Sequence, residues 1–294
     1  MELRIAQIQM AVTADKGENI RRACRMVRSA GDIDLAVLPE MFCCPYDNAC
    51  FRPYGEPEGG EAYQTLSALA KERGIWLVGG TVPELAEDKV YNTCYVFAPD
   101  GKCVAKHRKM HLFDIDVDGG QRFMESETLT AGDAVTTFAT PWGVMGVCVC
   151  FDFRFEALSR LMALAGAQVI FVPAAFNMTT GPAHWELLFR QRAVDNQCFT
   201  VGTSPARDET AGYVAWGHSI VCDPWGTVLH QCDEREQIAV TTLDMTRVAS
   251  VRRQLPILSA RRTDVYEVRK SKLSVRCSSL GGSSTQTQVC AGYR

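Results

Sequence analysis

The sequence has no long apolar run and no dense block of like charge. No segment approaches the roughly 20 apolar residues that cross a bilayer, and the most apolar stretch, residues 169–176, contains Pro173. The chain carries 31 Lys and Arg against 34 Asp and Glu, for a formal net charge of −3. Without a basic patch there is no electrostatic footprint for nucleic acid or a membrane surface. These absences favour a small-molecule substrate.

The sequence also lacks the marks of a secreted disulfide framework and of a zinc site. Its 13 cysteines are spread over 294 residues, and the opening MELRIAQIQM has no basic segment followed by an apolar one, as a secretory signal has. Neither Cys43-Cys44 nor Cys148-Val149-Cys150 has the two-residue gap of a zinc-ligand pair. We therefore expect reduced thiols, no metal ion and a cytoplasmic protein.

What is present is an alternation of β-rich and helical patterns. The first half predicts a βαβαβ order, with strands at 3–10, 35–39 and 75–80 and helices at 19–29 and 60–73. Two more strands, at 91–97 and 102–107, flank Pro99-Asp100-Gly101, a turn that joins antiparallel strands. The fold class is therefore α/β with a mixed sheet.

The second half continues the alternation without a linker. It predicts helices at 154–165 and 184–196 and strands at 144–150, 169–173, 200–204, 219–222, 227–231 and 238–242. We therefore expect one domain over residues 1–270. Residues 271–294 are rich in Ser, Gly, Thr and Gln and have little to bury, so they are predicted to form a disordered or loosely docked tail.

The first chemical candidate is Cys150, which ends an apolar strand pattern and is followed at once by a charged helix start. A nucleophile at such an elbow is held rigidly and has backbone N–H groups beside it that can receive an oxyanion. The helix N-terminus is expected to favour the thiolate, whose ordinary pKa is about 8.5. Taken alone, an arbitrary cysteine is more often a small buried apolar residue.

Two further segments carry charge at the end of a strand. Glu40 closes the apolar run Val37-Leu38-Pro39, and Lys109 lies in the basic cluster Lys106-His107-Arg108-Lys109. In isolation the carboxylate is an ordinary strand terminus that faces water. The basic cluster is by itself a solvated loop. The three segments together favour a different interpretation.

Leu38-Pro39-Glu40, residues 109–113 and residues 150–155 resemble the nitrilase, or carbon–nitrogen hydrolase, superfamily, in which a Glu, a Lys and a Cys occur in this order. In that superfamily each of the three comes just after a strand. The resemblance extends over residues 4–268. It implies a four-layer α-β-β-α sandwich with mixed sheets, and assembly into a homodimer or a larger homo-oligomer.

The resemblance also implies a role for each residue. Cys150 would be the nucleophile, and Glu40 would be the general base and then the general acid. Lys109 and the backbone N–H of Phe151 would stabilise the oxyanion, and Glu125 would help to position the catalytic set. A cation such as Lys109 is expected to lower the pKa of a neighbouring thiol. No metal or organic cofactor is needed for this chemistry.

Within the superfamily the chain is most similar to the ω-amidase branch. The longest similar stretch is AAFNMTTGPAHWE, residues 174–186, and residues 109–114, 125–129 and 213–219 add to it. The likeness implies hydrolysis of the terminal amide of 2-oxoglutaramate or 2-oxosuccinamate to the dicarboxylate and ammonia.

Substrate contacts are expected from hydroxyl groups near the catalytic set. A 2-oxo acid amide carries a carboxylate, which needs a cation or several N–H and O–H donors. The candidates are Tyr46, Thr179 and Thr180, with a basic residue from elsewhere. Arg154 is expected to anchor Asp152 or the helix start rather than the substrate.

Other functions are consistent with the sequence. The chain is alternatively an amidase for another acid amide, such as deaminated glutathione or an N-carbamoyl compound. A true nitrilase is less favoured, because that branch usually places Trp-Glu after the nucleophile, where this chain has Phe151-Asp152. A non-catalytic scaffold and a redox-sensing protein belong to other functional classes. The joint presence of Glu40, Lys109 and Cys150 argues against both.

Overall fold

A computed structural model of the chain describes residues 1–271. Of the predicted tail, only residue 271 is among the described residues. The elements of the first half are β1 (Glu2–Gln9), α1 (Lys16–Ser29), β2 (Leu35–Val37), α2 (Asn48–Tyr54), α3 (Glu61–Arg73), β3 (Trp76–Val78), β4 (Val82–Ala86), β5 (Lys89–Phe97), β6 (Cys103–Arg108), β7 (Asp114–Asp116) and β8 (Arg122–Met124).

The second half supplies all six strands of another sheet, one strand of the first sheet and three more helices. Its elements are β9 (Thr136–Thr140), β10 (Gly143–Val147), α4 (Glu156–Leu164), β11 (Val169–Pro173), α5 (Gly181–Asn196), β12 (Phe199–Thr203), β13 (Ile220–Cys222), β14 (Val228–Gln231), β15 (Gln237–Asp244) and α6 (Thr246–Gln254). Two short 3-10 turns, Glu125–Glu127 and Cys150–Arg154, lie between them.

Two mixed sheets form the middle of the molecule. The first has the order β15-β1-β2-β3-β5-β4, with β6 paired to β5, and the second has the order β14-β13-β12-β11-β10-β9. In the first sheet β1, β2 and β3 are mutually parallel, and the remaining pairs are antiparallel. In the second sheet β10, β11 and β12 are parallel. The expectation of mixed sheets is confirmed.

Side-chain alternation along the strands assigns the two faces of the first sheet. Leu3 and Ile5 of β1 belong to a core that also contains Met145 and Val169 of the second sheet. Ile8 instead belongs to a core with residues of α1 and α3. Because successive side chains of a strand point to opposite faces, the first sheet has the second sheet on one face and helices on the other.

Helices α4 and α5 cover the outer face of the second sheet. Met162 of α4 and Phe189 of α5 are buried in the same core as the strands. A Cβ atom at Gly146 would lie 2.7 Å from the Met162 sulfur, and one at Gly202 would lie 2.2 Å from the Phe189 ring. These two glycines allow the helices to approach the sheet. The four layers are thus α-β-β-α, as the resemblance implied.

The helices begin and end at residues whose local chemistry favours these positions. Asp15 caps α1 by accepting a 2.8 Å hydrogen bond from the Glu18 N–H, which satisfies one of the unpaired donors of the first turn. Helix α3 ends at Gly74, which has a φ of 64°, a left-handed conformation that glycine adopts at little cost. Both helices were predicted from their sequences.

The structure differs from the predicted elements near the catalytic segments. Strand β10 ends at Val147 rather than at residue 150, and the predicted helix from 154 begins only at Glu156. Cys150 has a φ of 48°, which neither a strand nor an α-helix accommodates. Helix α2 was not predicted, because Pro53 in its last turn resembles a helix breaker.

Candidate active site

The three predicted catalytic residues lie together in the interior of the molecule. Glu40 follows β2, Lys109 follows β6 and Cys150 follows β10. Their exposed fractions are 1%, 0% and 4%. Glu40 and Lys109 come from the first sheet and Cys150 from the second, so the face-to-face packing of the sheets brings the site together.

The ammonium group of Lys109 has three acceptors around it. Its Nζ lies 2.9 Å from Glu40 Oε1 and 2.9 Å from Glu125 Oε1. It also donates to the Tyr46 hydroxyl at 3.2 Å. An ammonium has three N–H donors, so each of them has a partner. The nearby carboxylates outweigh the effect of burial, and the pKa of Lys109 is therefore raised above its ordinary value.

Four hydrogen-bond donors surround the Glu40 carboxylate. Oε1 accepts from Lys109 and from Asn92 Nδ2 at 2.8 Å, and it lies 3.2 Å from the Tyr46 hydroxyl, whose single proton has Glu125 as its other acceptor. Oε2 accepts from the Ala175 N–H at 2.8 Å. Burial nevertheless raises the pKa of Glu40, and the opposing effect of Lys109 is offset in part by the negative charge of Glu125. A carboxyl with a raised pKa is suited to exchange protons.

Glu125 is the second carboxylate on the same ammonium. It begins the 3-10 turn Glu125–Glu127 and is completely buried. Its Oε1 accepts from Lys109 and from the Tyr46 hydroxyl, and its Oε2 accepts from the Phe113 N–H at 2.6 Å. The structure therefore brings Glu125 into contact with the predicted set.

The pKa of the Cys150 thiol lies well above its ordinary value. Burial is the main cause, the negative charge of Glu40 adds to it, and Lys109 opposes both. Lys109 thus acts in the expected direction, but the net shift is upward, so the expectation of a lowered thiol pKa is wrong. The positive charge of Lys109 is already matched by Glu40 and Glu125, and Cys150 begins a short 3-10 turn instead of an α-helix. Burial at this position therefore favours the thiol over the thiolate.

Asp152 connects the segment that carries Lys109 to the turn that carries Cys150. Its Oδ1 accepts from the N–H groups of Met110 at 3.1 Å and His111 at 2.8 Å, and lies 2.8 Å from His111 Nδ1. Its Oδ2 accepts from the Val149 N–H at 3.1 Å and lies 2.9 Å from His107 Nε2. These hydrogen bonds hold the pKa of Asp152 far below its ordinary value although the side chain is buried.

Arg154 does not anchor Asp152, so that prediction is wrong. Its Nη1 lies 3.1 Å from His184 Nδ1, and its guanidinium lies 4.7 Å from the centre of the Phe176 ring. Among residues 1–271 no carboxylate lies within salt-bridge distance of it. Burial lowers the pKa of Arg154, and the nearby Cys150 partly offsets this effect. The sequence clue was an arginine four residues after the candidate nucleophile.

The predicted hydroxyl groups occupy different environments. Tyr46 borders a cavity of about 630 Å³, including its open mouth, that also reaches Glu40, Ala175 and Tyr213. Thr179 and Thr180 are not among the residues that line it.

Thr180 already has an intramolecular partner. Its N–H and its Oγ1 each donate to Asn177 Oδ1 at 2.9 Å. Thr179 is exposed, and its Cγ2 lies 3.3 Å from the position of a Cβ at Gly120. Both threonines therefore belong to the loop before α5, and the structure does not place either of them against Glu40 or Lys109.

Within residues 1–271 no group of three or more His, Cys, Asp or Glu side chains is arranged to hold a metal ion. In the same residues no helix combines the length and the apolar character needed to cross a membrane.

Comparison with known proteins gives consistent matches over nearly the whole chain. A family model described as carbon-nitrogen hydrolase matches residues 4–253. The omega-amidase NIT2 of Mus musculus is 49% identical over 271 residues, which cover 92% of this chain and 98% of the mouse protein. The omega-amidase NIT2 of Homo sapiens is 47% identical over 271 residues, with 92% and 98% covered. A solved structure also matches, that of Saccharomyces cerevisiae Nit3, a member of branch 10 of the nitrilase superfamily. The TM-score is 0.82 and the sequence identity is 42%. The match covers 89% of this chain and 97% of the yeast chain.

Proposed function

Because this chain belongs to the carbon–nitrogen hydrolase family, it is an enzyme that hydrolyses a carbon–nitrogen bond, and we propose that Cys150, Glu40 and Lys109 are its catalytic residues. The reaction is hydrolysis of the terminal amide of a 2-oxo dicarboxylic acid monoamide, 2-oxoglutaramate or 2-oxosuccinamate, to the dicarboxylate and ammonia. The observation that carries this conclusion is the 47–49% identity to omega-amidases over 92% of the chain. The buried contacts of the three residues supply the mechanism.

In the first half of the reaction, Glu40 takes the proton from the Cys150 thiol as the sulfur attacks the amide carbon. The carbonyl oxygen becomes an oxyanion, which Lys109 and the N–H of Phe151 stabilise. Glu40 then returns the proton to the amide nitrogen, the C–N bond breaks, and ammonia leaves behind a thioester. A neutral thiol with a raised pKa requires such a base, because it carries little thiolate of its own at neutral pH.

In the second half, Glu40 takes a proton from water as the water oxygen attacks the thioester carbon. The C–S bond breaks, Cys150 regains the proton, and the dicarboxylate leaves. General acid–base catalysis contributes about 10²–10⁴-fold to a rate, and one oxyanion donor about 10²–10³-fold. Loss of any one of the three residues is therefore expected to come close to abolishing turnover.

Arg154 is the cation that we assign to the carboxylate of the substrate. Its guanidinium lies near Cys150 and has no carboxylate partner among residues 1–271. A partly buried guanidinium without an anionic partner is costly, and a bound carboxylate would remove that cost through charge-assisted hydrogen bonds. Thr179 and Thr180 remain candidates for further contacts, because their loop follows Phe176, which lies under the Arg154 guanidinium.

The substrate panel tests this function directly. Ammonia release is measured with 2-oxoglutaramate, 2-oxosuccinamate, glutamine, asparagine, deaminated glutathione and N-carbamoyl-β-alanine. We expect both 2-oxo monoamides to be cleaved much faster than glutamine or asparagine, because an α-ammonium would have to be desolvated beside the positive charge of Arg154. A clear preference for deaminated glutathione or the N-carbamoyl compound would assign the chain to another branch of the family.

We further propose that residues 1–270 form one hydrolase domain in a cytoplasmic enzyme that assembles as a homodimer or a larger homo-oligomer. Leu187 and Trp225 support the assembly, because they are 62% and 54% exposed and border the same surface groove, as large apolar side chains at interfaces do. The cysteines of the described residues are all free thiols, which is consistent with a reducing compartment. Sedimentation of the purified full chain measures the oligomer size.

A further inference from the structure

The hydroxyl of Tyr46 meets three charged groups. It accepts from Lys109 Nζ at 3.2 Å, and it is within hydrogen-bond distance of Glu125 Oε1 and, at 3.2 Å, of Glu40 Oε1. The sequence had placed this hydroxyl against the substrate. A phenol has one O–H donor, and here both possible acceptors are carboxylates of the catalytic set.

The ring of Tyr46 is held on several sides. Its centroid lies 5.5 Å from that of Phe51, 5.5 Å from that of Phe123 and 4.5 Å from that of Tyr213. Aromatic contacts at these distances stabilise a ring in one orientation. The position of the hydroxyl is therefore fixed by the packing of the ring, independently of the charged groups that it contacts.

The donors of Lys109 are not equivalent. Two of its N–H groups point to carboxylates at 2.9 Å, and the third points to the neutral Tyr46 oxygen at 3.2 Å. An ammonium is attracted more strongly to a carboxylate at 2.9 Å than to a neutral hydroxyl at 3.2 Å, because the carboxylate carries a full negative charge. The N–H that points to Tyr46 is therefore the one that costs least to redirect when an oxyanion forms.

We propose that Tyr46 is a positioning residue. Its hydroxyl orients the ammonium group of Lys109 and shares the phenolic proton between Glu40 and Glu125. It does not contact the substrate carboxylate. This inference rests on the proposed function, in which Glu40 moves protons and Lys109 stabilises the oxyanion. In the resting enzyme Tyr46 occupies the third N–H of Lys109. During the reaction that N–H turns to the oxyanion while the two carboxylates continue to hold the ammonium.

The pH dependence of the reaction separates this role from a purely structural one. The titratable groups that face Tyr46 are Glu40, Glu125, Lys109, Cys150 and Tyr213. A hydrogen bond donated to a carboxylate favours its charged form, so removal of the Tyr46 hydroxyl makes the carboxylates easier to protonate. If the pKa of the base rises, the base becomes protonated, and the enzyme loses activity, at a higher pH as the pH falls. The acid limb of the profile of kcat/KM against pH is thus expected to move upward.

The test is Tyr46→Phe, which removes one oxygen and keeps the ring. The matched control is Tyr95→Phe, because Tyr95 is also buried and its hydroxyl has no hydrogen-bond partner among the described residues. With 2-oxoglutaramate as the substrate, Tyr46→Phe is expected to lower kcat by about 10–100-fold, to leave KM within about threefold, and to move the acid limb upward. Tyr95→Phe is expected to change none of these.

Two results would overturn the inference. A rise of KM by about tenfold or more at unchanged kcat would make Tyr46 a substrate contact. An acid limb at the same pH as in the wild type would show that Tyr46 does not share its proton with the carboxylates, whatever the change in kcat. Failure of the proposed function is distinguishable, because the wild type itself would then not cleave 2-oxoglutaramate, and the same two variants would be compared on the amide that it does cleave.

Discussion

Glu40 and Asp152 are both buried carboxylates beside Cys150, yet their pKa values are shifted in opposite directions. Glu40 is 1% exposed and Asp152 is 0% exposed. The pKa of Glu40 is raised, whereas that of Asp152 is lowered. The difference lies in the neighbours. Asp152 accepts from three backbone N–H groups and faces two histidines, while Glu40 shares one ammonium with a second carboxylate.

Glu40 is the carboxylate that we propose to move protons, whereas Asp152 is hydrogen-bonded to the framework on several sides. An anion that accepts several hydrogen bonds and has no competing anion stays ionised. An anion whose only cation is shared with another carboxylate is easier to protonate. We infer that Asp152 fixes the distance between the Lys109 segment and the Cys150 turn, and that Glu40 exchanges protons between groups held at that distance.

The largest effect is expected from Cys150→Ala, which removes the group on which Glu40 acts and leaves the Asp152 contacts in place. Turnover should be abolished while the fold remains, because a small apolar side chain replaces a small buried one. Ammonia release measures the activity, and circular dichroism measures the fold. The control is Cys148→Ala, two residues earlier and also buried. If activity survived in Cys150→Ala and were lost in Cys148→Ala, the assignment of Cys150 as the nucleophile would be wrong.

A loss of about 10³-fold or more in kcat is expected from Glu40→Gln, since general acid–base catalysis is worth about 10²–10⁴-fold per step and two steps depend on this residue. The amide keeps the size of the side chain but cannot shuttle a proton. Both formation and hydrolysis of the thioester should be blocked. A variant that forms the thioester at the normal rate and stalls only at water attack would show that another group activates Cys150.

Asp152→Asn is expected to reduce both stability and kcat, the latter by about tenfold. An amide cannot accept all the hydrogen bonds that the carboxylate accepts, and each buried donor left without a partner costs about 1–3 kcal/mol. The control is Asp223→Asn, since Asp223 is a buried carboxylate that accepts from the N–H groups of Trp225 and Thr227, both at 2.9 Å. That variant should lower the Tm and leave kcat unchanged. An equal kcat in both variants would show that Asp152 affects catalysis no more than a buried carboxylate outside the site does.

The lowered pKa of Asp152 should be visible in the pH dependence of stability. The pKa of Asp152 is lower in the folded protein than the ordinary value of about 3.9. Its contribution to stability is therefore complete above pH about 4 and is lost as the pH falls toward the folded-state pKa. The difference in the free energy of unfolding between wild type and Asp152→Asn should shrink below pH about 4. A difference that instead grows on acidification would contradict the lowered pKa.

The smallest effect is expected from removal of residues 271–294. Their composition offers little apolar area to bury. Truncation after Lys270 should leave the fold and the ammonia release unchanged, as measured by circular dichroism and by the standard assay. Loss of folding, or dissociation of the oligomer, would show that the tail has a structural role.

Sequence alone predicted the elements whose pattern is local. Strand β11 has the predicted bounds 169–173, because an apolar run between turn residues is enough to define it. Glu40, Lys109 and Cys150 were predicted from three motifs and lie together as expected. The contacts of Asp152 with His107 and His111 were not predictable, because they join residues about forty positions apart through the packing of the two sheets.

The sign of the Cys150 pKa shift was mispredicted for the same reason. The sequence shows a lysine that can approach the thiol, but it does not show that Glu40 and Glu125 already match that charge. The contacts of the Tyr46 hydroxyl with Lys109 and Glu125 could not be predicted either, because a hydroxyl after a strand does not reveal its partners. Such assignments depend on three-dimensional neighbours and on the exclusion of water, neither of which has a local pattern.

The most direct test is the ammonia released in a single turnover, with enzyme in excess over 2-oxoglutaramate, by the wild type, Glu40→Gln and Asp152→Asn. Our account predicts full release by the wild type, slower but complete release by Asp152→Asn, and no measurable release by Glu40→Gln. Complete release by Glu40→Gln at the wild-type rate would contradict the claim that Glu40 exchanges the proton with Cys150.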